Sequence, residues 1–194
     1  MSAISIRKAE CTVADAECIV SIGRPVFTAT FAHTCTPADL ELFVEESYTV
    51  DKILTELKDH NTTFFFASMA GAEDEAETAF GFSQLRIRST EPCLARYTKY
   101  IELQRIYFSV DVDHHGSGIA RKLMEHNMGD AKDMGYEQIW LGVYEENDRA
   151  RRFYGKFGFE RIGEHHLLVG KDLQTDLVMI ASLETNRTRI SSNS

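Results

Sequence analysis

Long apolar runs are missing from this 194-residue chain. None approaches the roughly 18 consecutive residues that a membrane-spanning helix needs, and the N-terminus lacks the basic-then-apolar layout of a secretion signal. A cytoplasmic protein with no membrane partner is expected. Paired cysteines are missing as well. Cys11, Cys18, Cys35 and Cys93 form no CxxC and no metal-ligand spacing, so reduced thiols are expected rather than a disulfide framework or a zinc site. Basic charge is short: 21 Lys and Arg face 30 Asp and Glu, a formal charge of −9. That balance argues against nucleic acid and suits a neutral or cationic partner.

What is present is ordinary globular composition, 43% apolar and 26% charged, enough to fill one core. No repeat or linker divides the chain, so a single domain over 1–184 is expected, with a frayed polar tail over 185–194. The first quarter of the chain reads as helices: Thr12-x-x-Asp15 opens one with Ala14, Cys18, Ile19 and Ile22 on one face, interrupted at Gly23 and Pro25. Thr36 and Pro37 open a second, burying Leu40, Phe43 and Val44. A third runs Asp51–Asp59 and buries Ile53, Leu54 and Leu57. "TTFFFASM" and "FGFSQLRIR" read as antiparallel strands joined by the acidic loop Glu73–Glu77. "YIELQRIYFSV" is a long strand. A helix from about Gly118 to Met134 follows, then the apolar strand "QIWLGV". A short helix stopped by Gly158 and a hairpin turning across Lys171–Gln174 complete an α/β pattern.

The stretch "DVDHHGSGIARKL" links a strand to a helix, the start of a right-handed crossover. A helix N-terminus offers unpaired N–H groups and partial positive charge, which suit a phosphate. A dinucleotide fingerprint fails because Arg121 stands where the third glycine belongs, and no GK[ST] run exists for a P-loop. His114–His115 and His165–His166 are adjacent pairs that point opposite ways along extended chain, with no suitably spaced partner, so no metal is expected.

"HGSGIA", His115 to Ala120, resembles the Q/R-x-x-G-x-G/A loop of the GNAT superfamily of N-acetyltransferases, with His115 standing where Gln or Arg is usual. "ENDRARRFYGKFGF" is similar to a second block of that family, through Asn147, Ala150, Phe153, Tyr154, Lys156, Gly158 and Phe159. "IELQRIYF", "LGVYEENDRA" and "HHLLVGKDLQTDLVM" resemble in particular the PaiA-type spermine/spermidine acetyltransferases. The resemblance implies a GNAT fold: a mixed central sheet flanked by helices, with a splayed parallel strand pair that binds the cofactor.

It also implies acetyl transfer from acetyl-CoA to a primary amine, a polyamine such as spermidine or spermine, by direct attack in a ternary complex. A protein amine, an amino acid, a drug amine or a non-catalytic CoA-binding module are the alternatives. His115, Gly116, Ser117, Gly118, Ile119 and Ala120 would hold the diphosphate. The main chain of Ile106, Tyr107 and Phe108 would pair with the pantetheine arm. Asn147 would bond that arm or cap a helix, or both. Tyr154 would protonate the leaving thiolate. Glu102, on the same strand as Ile106, would take the ammonium proton or attract it. No metal is implied, and the oligomeric state, monomer or homodimer, stays open.

Overall fold

A computed structural model of the protein describes residues 4–69, 79–110, 116–169 and 172–184. The acidic loop Glu73–Glu77, the histidines His114 and His115, and the tail 185–194 lie outside those residues. The chain runs β1 (Ile4–Lys8), α1 (Val13–Phe31), α2 (Pro37–Ser47), α3 (Val50–Lys58), β2 (Thr62–Met69) and β3 (Ala79–Arg86). A single 3₁₀ turn, Pro92–Leu94, leads to β4 (Tyr100–Phe108), α4 (Ile119–Asp133), β5 (Gln138–Tyr144), α5 (Asp148–Gly155), β6 (Glu160–Val169) and β7 (Asp172–Ser182).

The strands form one seven-stranded sheet in the order β1-β2-β3-β4-β5-β7-β6. Every neighbouring pair is antiparallel except β4 and β5. That single parallel pair is where the crossover through α4 returns to the sheet. Helices cover both faces. Ile119, Leu123 and Met124 of α4 pack with Ile101, Leu103, Ile139 and Leu141 on one side. Ile19, Ile22 and Ile53 pack with Phe64, Phe66 and Phe82 on the other.

Three threonines start three helices. The hydroxyls of Thr12, Thr36 and Thr49 accept from the N–H groups of Asp15, Asp39 and Lys52, each satisfying a donor that the first helical turn leaves without a partner. The third helix therefore begins at Val50, one residue ahead of the expected Asp51. It buries Ile53 fully and Leu54 and Leu57 in part.

Three expectations are corrected. The opening residues are not all helical: Ile4–Lys8 pairs antiparallel with β2. The bidentate contact of Arg7 with Asp15, at 2.9 and 2.7 Å, ties that strand to α1. Gly23 and Pro25 do not interrupt α1, which runs unbroken to Phe31. A Cβ at Gly23 would lie 2.6 Å from the Tyr48 ring, so this glycine serves close packing. Pro25 costs the helix one hydrogen bond, and burial of Ile19, Ile22, Phe27 and Phe31 on either side of it outweighs that loss. The last hairpin turns earlier than expected, because pairing continues through Leu168↔Leu173 and Val169↔Asp172.

Candidate active site

Strands β4 and β5 part company. They pair at Tyr100↔Gln138, Ile101↔Ile139 and Glu102↔Trp140 and nowhere beyond, although β4 continues to Phe108 and β5 to Tyr144. Each keeps its outer neighbour: β4 stays on β3, and β5 stays on β7 to its last residue. The inner edges therefore carry backbone donors and acceptors that face an opening, and such groups call for a partner.

A bulge helps to make the opening. Gln84 pairs with Arg105 and Leu85 with Leu103, which leaves Gln104 as the extra residue on β4. One extra residue reverses the alternation of side chains. Leu103 and Ile106 thus share the α4 face, while Tyr107 points to the α1 side and packs on Phe82. Arg105 joins it there, paired with Glu56 of α3 and set over the Tyr48 ring.

The result is a cleft of about 390 Å³. Leu103, Gln104, Ile106, Tyr107, Val143 and Tyr144 line it from the sheet, Phe27 and Phe31 from α1, and Asn147 and Tyr154 from α5. Tyr48 donates to the Tyr107 hydroxyl at 3.3 Å, and burial pushes the Tyr48 phenol well above its ordinary range. Tyr154 packs beside Phe153 and Phe159. Burial foremost, then the nearby Tyr107 and Asp176, raise its phenol far above the ordinary value. It keeps its proton at neutral pH and is available as a donor. The Asn147 side chain accepts from the Ala150 N–H at 3.0 Å, the N-cap bond of α5, while the residue also lines the cleft.

The start of α4 is shaped by two glycines. Gly116 and Gly118 have φ of +76° and +81°, and nothing lies within 4 Å of where either Cβ would be. Backbone conformation, not crowding, calls for glycine here. Ser117 accepts from the Ile119 N–H at 3.3 Å. The Ile119 side chain is a buried core anchor and Ala120 is half-buried, so this turn can meet a ligand through its main chain. Arg121 is engaged by Glu125 at 2.7 Å. His115 lies outside the described residues.

The sequence candidates are thus distributed unevenly. Ile106, Tyr107, Asn147 and Tyr154 meet at one cleft, while Gly116, Ser117, Gly118, Ile119 and Ala120 form the start of α4. Phe108 packs on the α4-side core, over Gly81, where a Cβ would meet its ring at 2.5 Å. Glu102 sits on β4 where pairing with β5 ends, buried and off the cleft wall. Burial raises its carboxyl above the ordinary range, against the opposing pull of Ser89, Arg86 and His165. His33 lies against the ring of Tyr144, 3.7 Å from Glu146, and Asp39 accepts from Thr36 at the start of α2.

Sequence reading missed several residues. Tyr48, the hydroxyl of Tyr107, and the Arg105–Glu56 pair are separated in the chain by 49 residues or more, and only the fold brings them together. Asp176 is a cleft-wall residue on β7, opposite Tyr144. Its one sequence signal is a carboxylate immediately ahead of the apolar run Leu177–Ala181.

Comparison with known proteins agrees with this geometry. The profile of the acetyltransferase (GNAT) family matches residues 28–159, and the chain belongs to that family. An uncharacterized N-acetyltransferase of Lactobacillus delbrueckii subsp. lactis, from the pepI 3′ region, is 27% identical over 164 residues, 84% of this chain and 90% of the relative. An uncharacterized N-acetyltransferase of Mycobacterium tuberculosis is 37% identical over 83 residues, 43% of this chain and 52% of that protein. Among solved structures, the PaiA N-acetyltransferase of Thermoplasma acidophilum in complex with coenzyme A superposes with a TM-score of 0.67. It is 23% identical and covers 93% of this chain and 99% of its own. An N-acetyltransferase of Staphylococcus aureus Mu50 gives 0.65 at 21% identity, covering 94% of this chain and all of its own. The protein is an acyltransferase with the GNAT fold.

Proposed function

We propose that this acetyltransferase moves the acetyl group of acetyl-CoA directly to a primary amine, with a polyamine such as spermidine or spermine as acceptor. The observation that carries the reading is the parting of β4 from β5 just beyond Glu102↔Trp140, with Tyr154 on the wall of the opening. The residues present fit acetyl-CoA. An extended amide-bearing arm matches the inner edges of β4 and β5 where the two strands no longer pair with each other, and a diphosphate matches the first turn of α4. The PaiA N-acetyltransferase with the same fold was solved with coenzyme A.

The amine arrives as an ammonium, with a pKa of roughly 10.4 for an alkylamine, and must lose a proton before its nitrogen can attack. Attack places negative charge on the thioester oxygen, and main-chain N–H groups along β4 are the donors that would hold it. The thiol leaving group, with a pKa of roughly 8.5 for a cysteine-like thiol, takes a proton from Tyr154. Asn147 steadies the arm from the start of α5. Glu102, off the cleft wall, acts on the ammonium by electrostatic attraction. The formal charge of −9 favours cationic acceptors over neutral ones. A cytoplasmic location belongs to the same reading: the four cysteines are free thiols, and among the described residues no helix is long and apolar enough to cross a membrane.

Thiol release from acetyl-CoA across an amine panel tests this. Turnover on spermidine is expected. Turnover on a peptide lysine but not on spermidine would overturn the polyamine acceptor, and coenzyme A binding without turnover on any amine would overturn the enzyme reading.

A further inference from the structure

One group on the cleft wall has a buried polar atom that nothing among the described residues satisfies. Asp176 lines the cleft beside Tyr154. Its Oδ2 lies 3.5 Å from His165 Nε2, while its Oδ1 is buried with no hydrogen-bond partner among the described residues. A buried acceptor without a donor is rare in folded proteins and asks for an explanation. Behind it, His165 Nδ1 reaches Glu91 Oε1 at 3.0 Å, so the imidazole spans two carboxylates. Asp176 foremost, together with Glu91, holds the His165 ring in its charged form above the ordinary histidine range, against the effect of burial.

Strand β5 leaves room for this arrangement. A Cβ on Gly142 would stand 3.1 Å from His165 Cε1, 3.3 Å from its Nε2 and 3.4 Å from Asp176 Oδ2. Gly142 also lines the cleft. The histidine is thereby fixed on one oxygen of Asp176, and the other oxygen is left for a visitor that brings a hydrogen-bond donor.

The geometry points to Asp176 as the group that receives the acceptor's ammonium at Oδ1 and takes the proton that must leave before attack. This rests on the reading of the protein as an amine acetyltransferase. An N–H bond of the ammonium breaks and an O–H bond forms at Oδ1. The electron pair of the broken bond stays on nitrogen as the nucleophile. The neutral Asp176 returns its proton to solvent once the acetylated product has left. His165 and Glu91 are positioning residues: a charged imidazole donates to Oδ2 and to Glu91, and keeps Asp176 aimed. The ionisable groups around the pair are His165 on β6, Glu91 ahead of the 3₁₀ turn, Tyr154 on α5 and Tyr144 on β5. Glu102 on β4 interacts with His165 and Glu91 of this cluster and with Arg86 on β3.

Two acceptors separate the outcomes. Spermidine is cationic at neutral pH, whereas trifluoroethylamine arrives uncharged and has no ammonium proton to lose before it attacks. Asp176→Asn is expected to lose on the order of 10²-fold or more in kcat/KM for spermidine, and markedly less on trifluoroethylamine, with little change in KM for acetyl-CoA. Equal losses on both amines, or none on spermidine, would overturn the assignment. His165→Gln tests it without touching the carboxylate: kcat/KM should fall more for spermidine than for trifluoroethylamine, with KM for acetyl-CoA unchanged. An equal effect on both amines, or none, would overturn the positioning role. A parent enzyme that acetylates no amine would instead overturn the function on which the inference rests.

Discussion

Tyr154 and Asn147 could be found from sequence because a compact local block carries them: a cap, a helix turn and the Phe-Tyr pair all lie within one short segment. Asp176, His165 and Glu91 could not. Their contact spans 74 residues from Glu91 to His165 and depends on the register of β6 against β7. His165–His166 had been read only for metal spacing, and spacing along a strand says nothing about what a neighbouring strand brings. For Tyr154 the expectation is direct. Tyr154→Phe should lower kcat by about one to two orders of magnitude with little change in KM for acetyl-CoA, measured by thiol release. His165 should also leave a mark on stability. Its folded pKa lies above the unfolded value of roughly 6.5, so its contribution is complete below that pH and is lost as pH rises through the folded value. Thermal melts of the parent should therefore fall across that window, and those of His165→Gln should lack this component. Asp15 works the other way. Its carboxyl is held low by Arg7, so its contribution is present above roughly pH 3.9 and is lost as pH falls through the folded value.

Elements were legible where burial and periodicity agreed. The caps at Thr12 and Thr36 and the stripe on α4 were read from residues a few positions apart, and the structure keeps them. Strand β1 escaped because five residues pairing at one edge give too short an alternation to register. The unbroken course of α1 escaped because Gly23 answers to the Tyr48 ring, not to the backbone. Gly23→Ala should accordingly destabilise the protein through that clash, even though alanine is the better helix former. Gly118 is the opposite case. With φ at +81° and open space around it, Gly118→Ala carries only backbone strain, about 1–2 kcal/mol. Denaturant unfolding should show a loss of that size, together with weaker coenzyme A binding as the first turn of α4 shifts.

For the whole molecule, the order of elements from α1 onward and the single α/β domain were legible, since a strand–glycine–helix–strand unit has few ways to fold. The cleft was legible only through resemblance. Its direct causes are the bulge at Gln104 and the end of pairing at Glu102↔Trp140, and both are matters of register that side-chain pattern does not encode. They also fix which residues meet the cleft: Tyr107 turns to the α1 side, and Glu102 stays behind the last paired rung. Everything proposed for the chemistry depends on an extended, diphosphate-bearing molecule entering between β4 and β5. A calorimetric titration of the protein with coenzyme A tests that entry most directly. Saturable heat at one molecule per chain, displaced by acetyl-CoA, is the predicted result, and no heat would contradict the account.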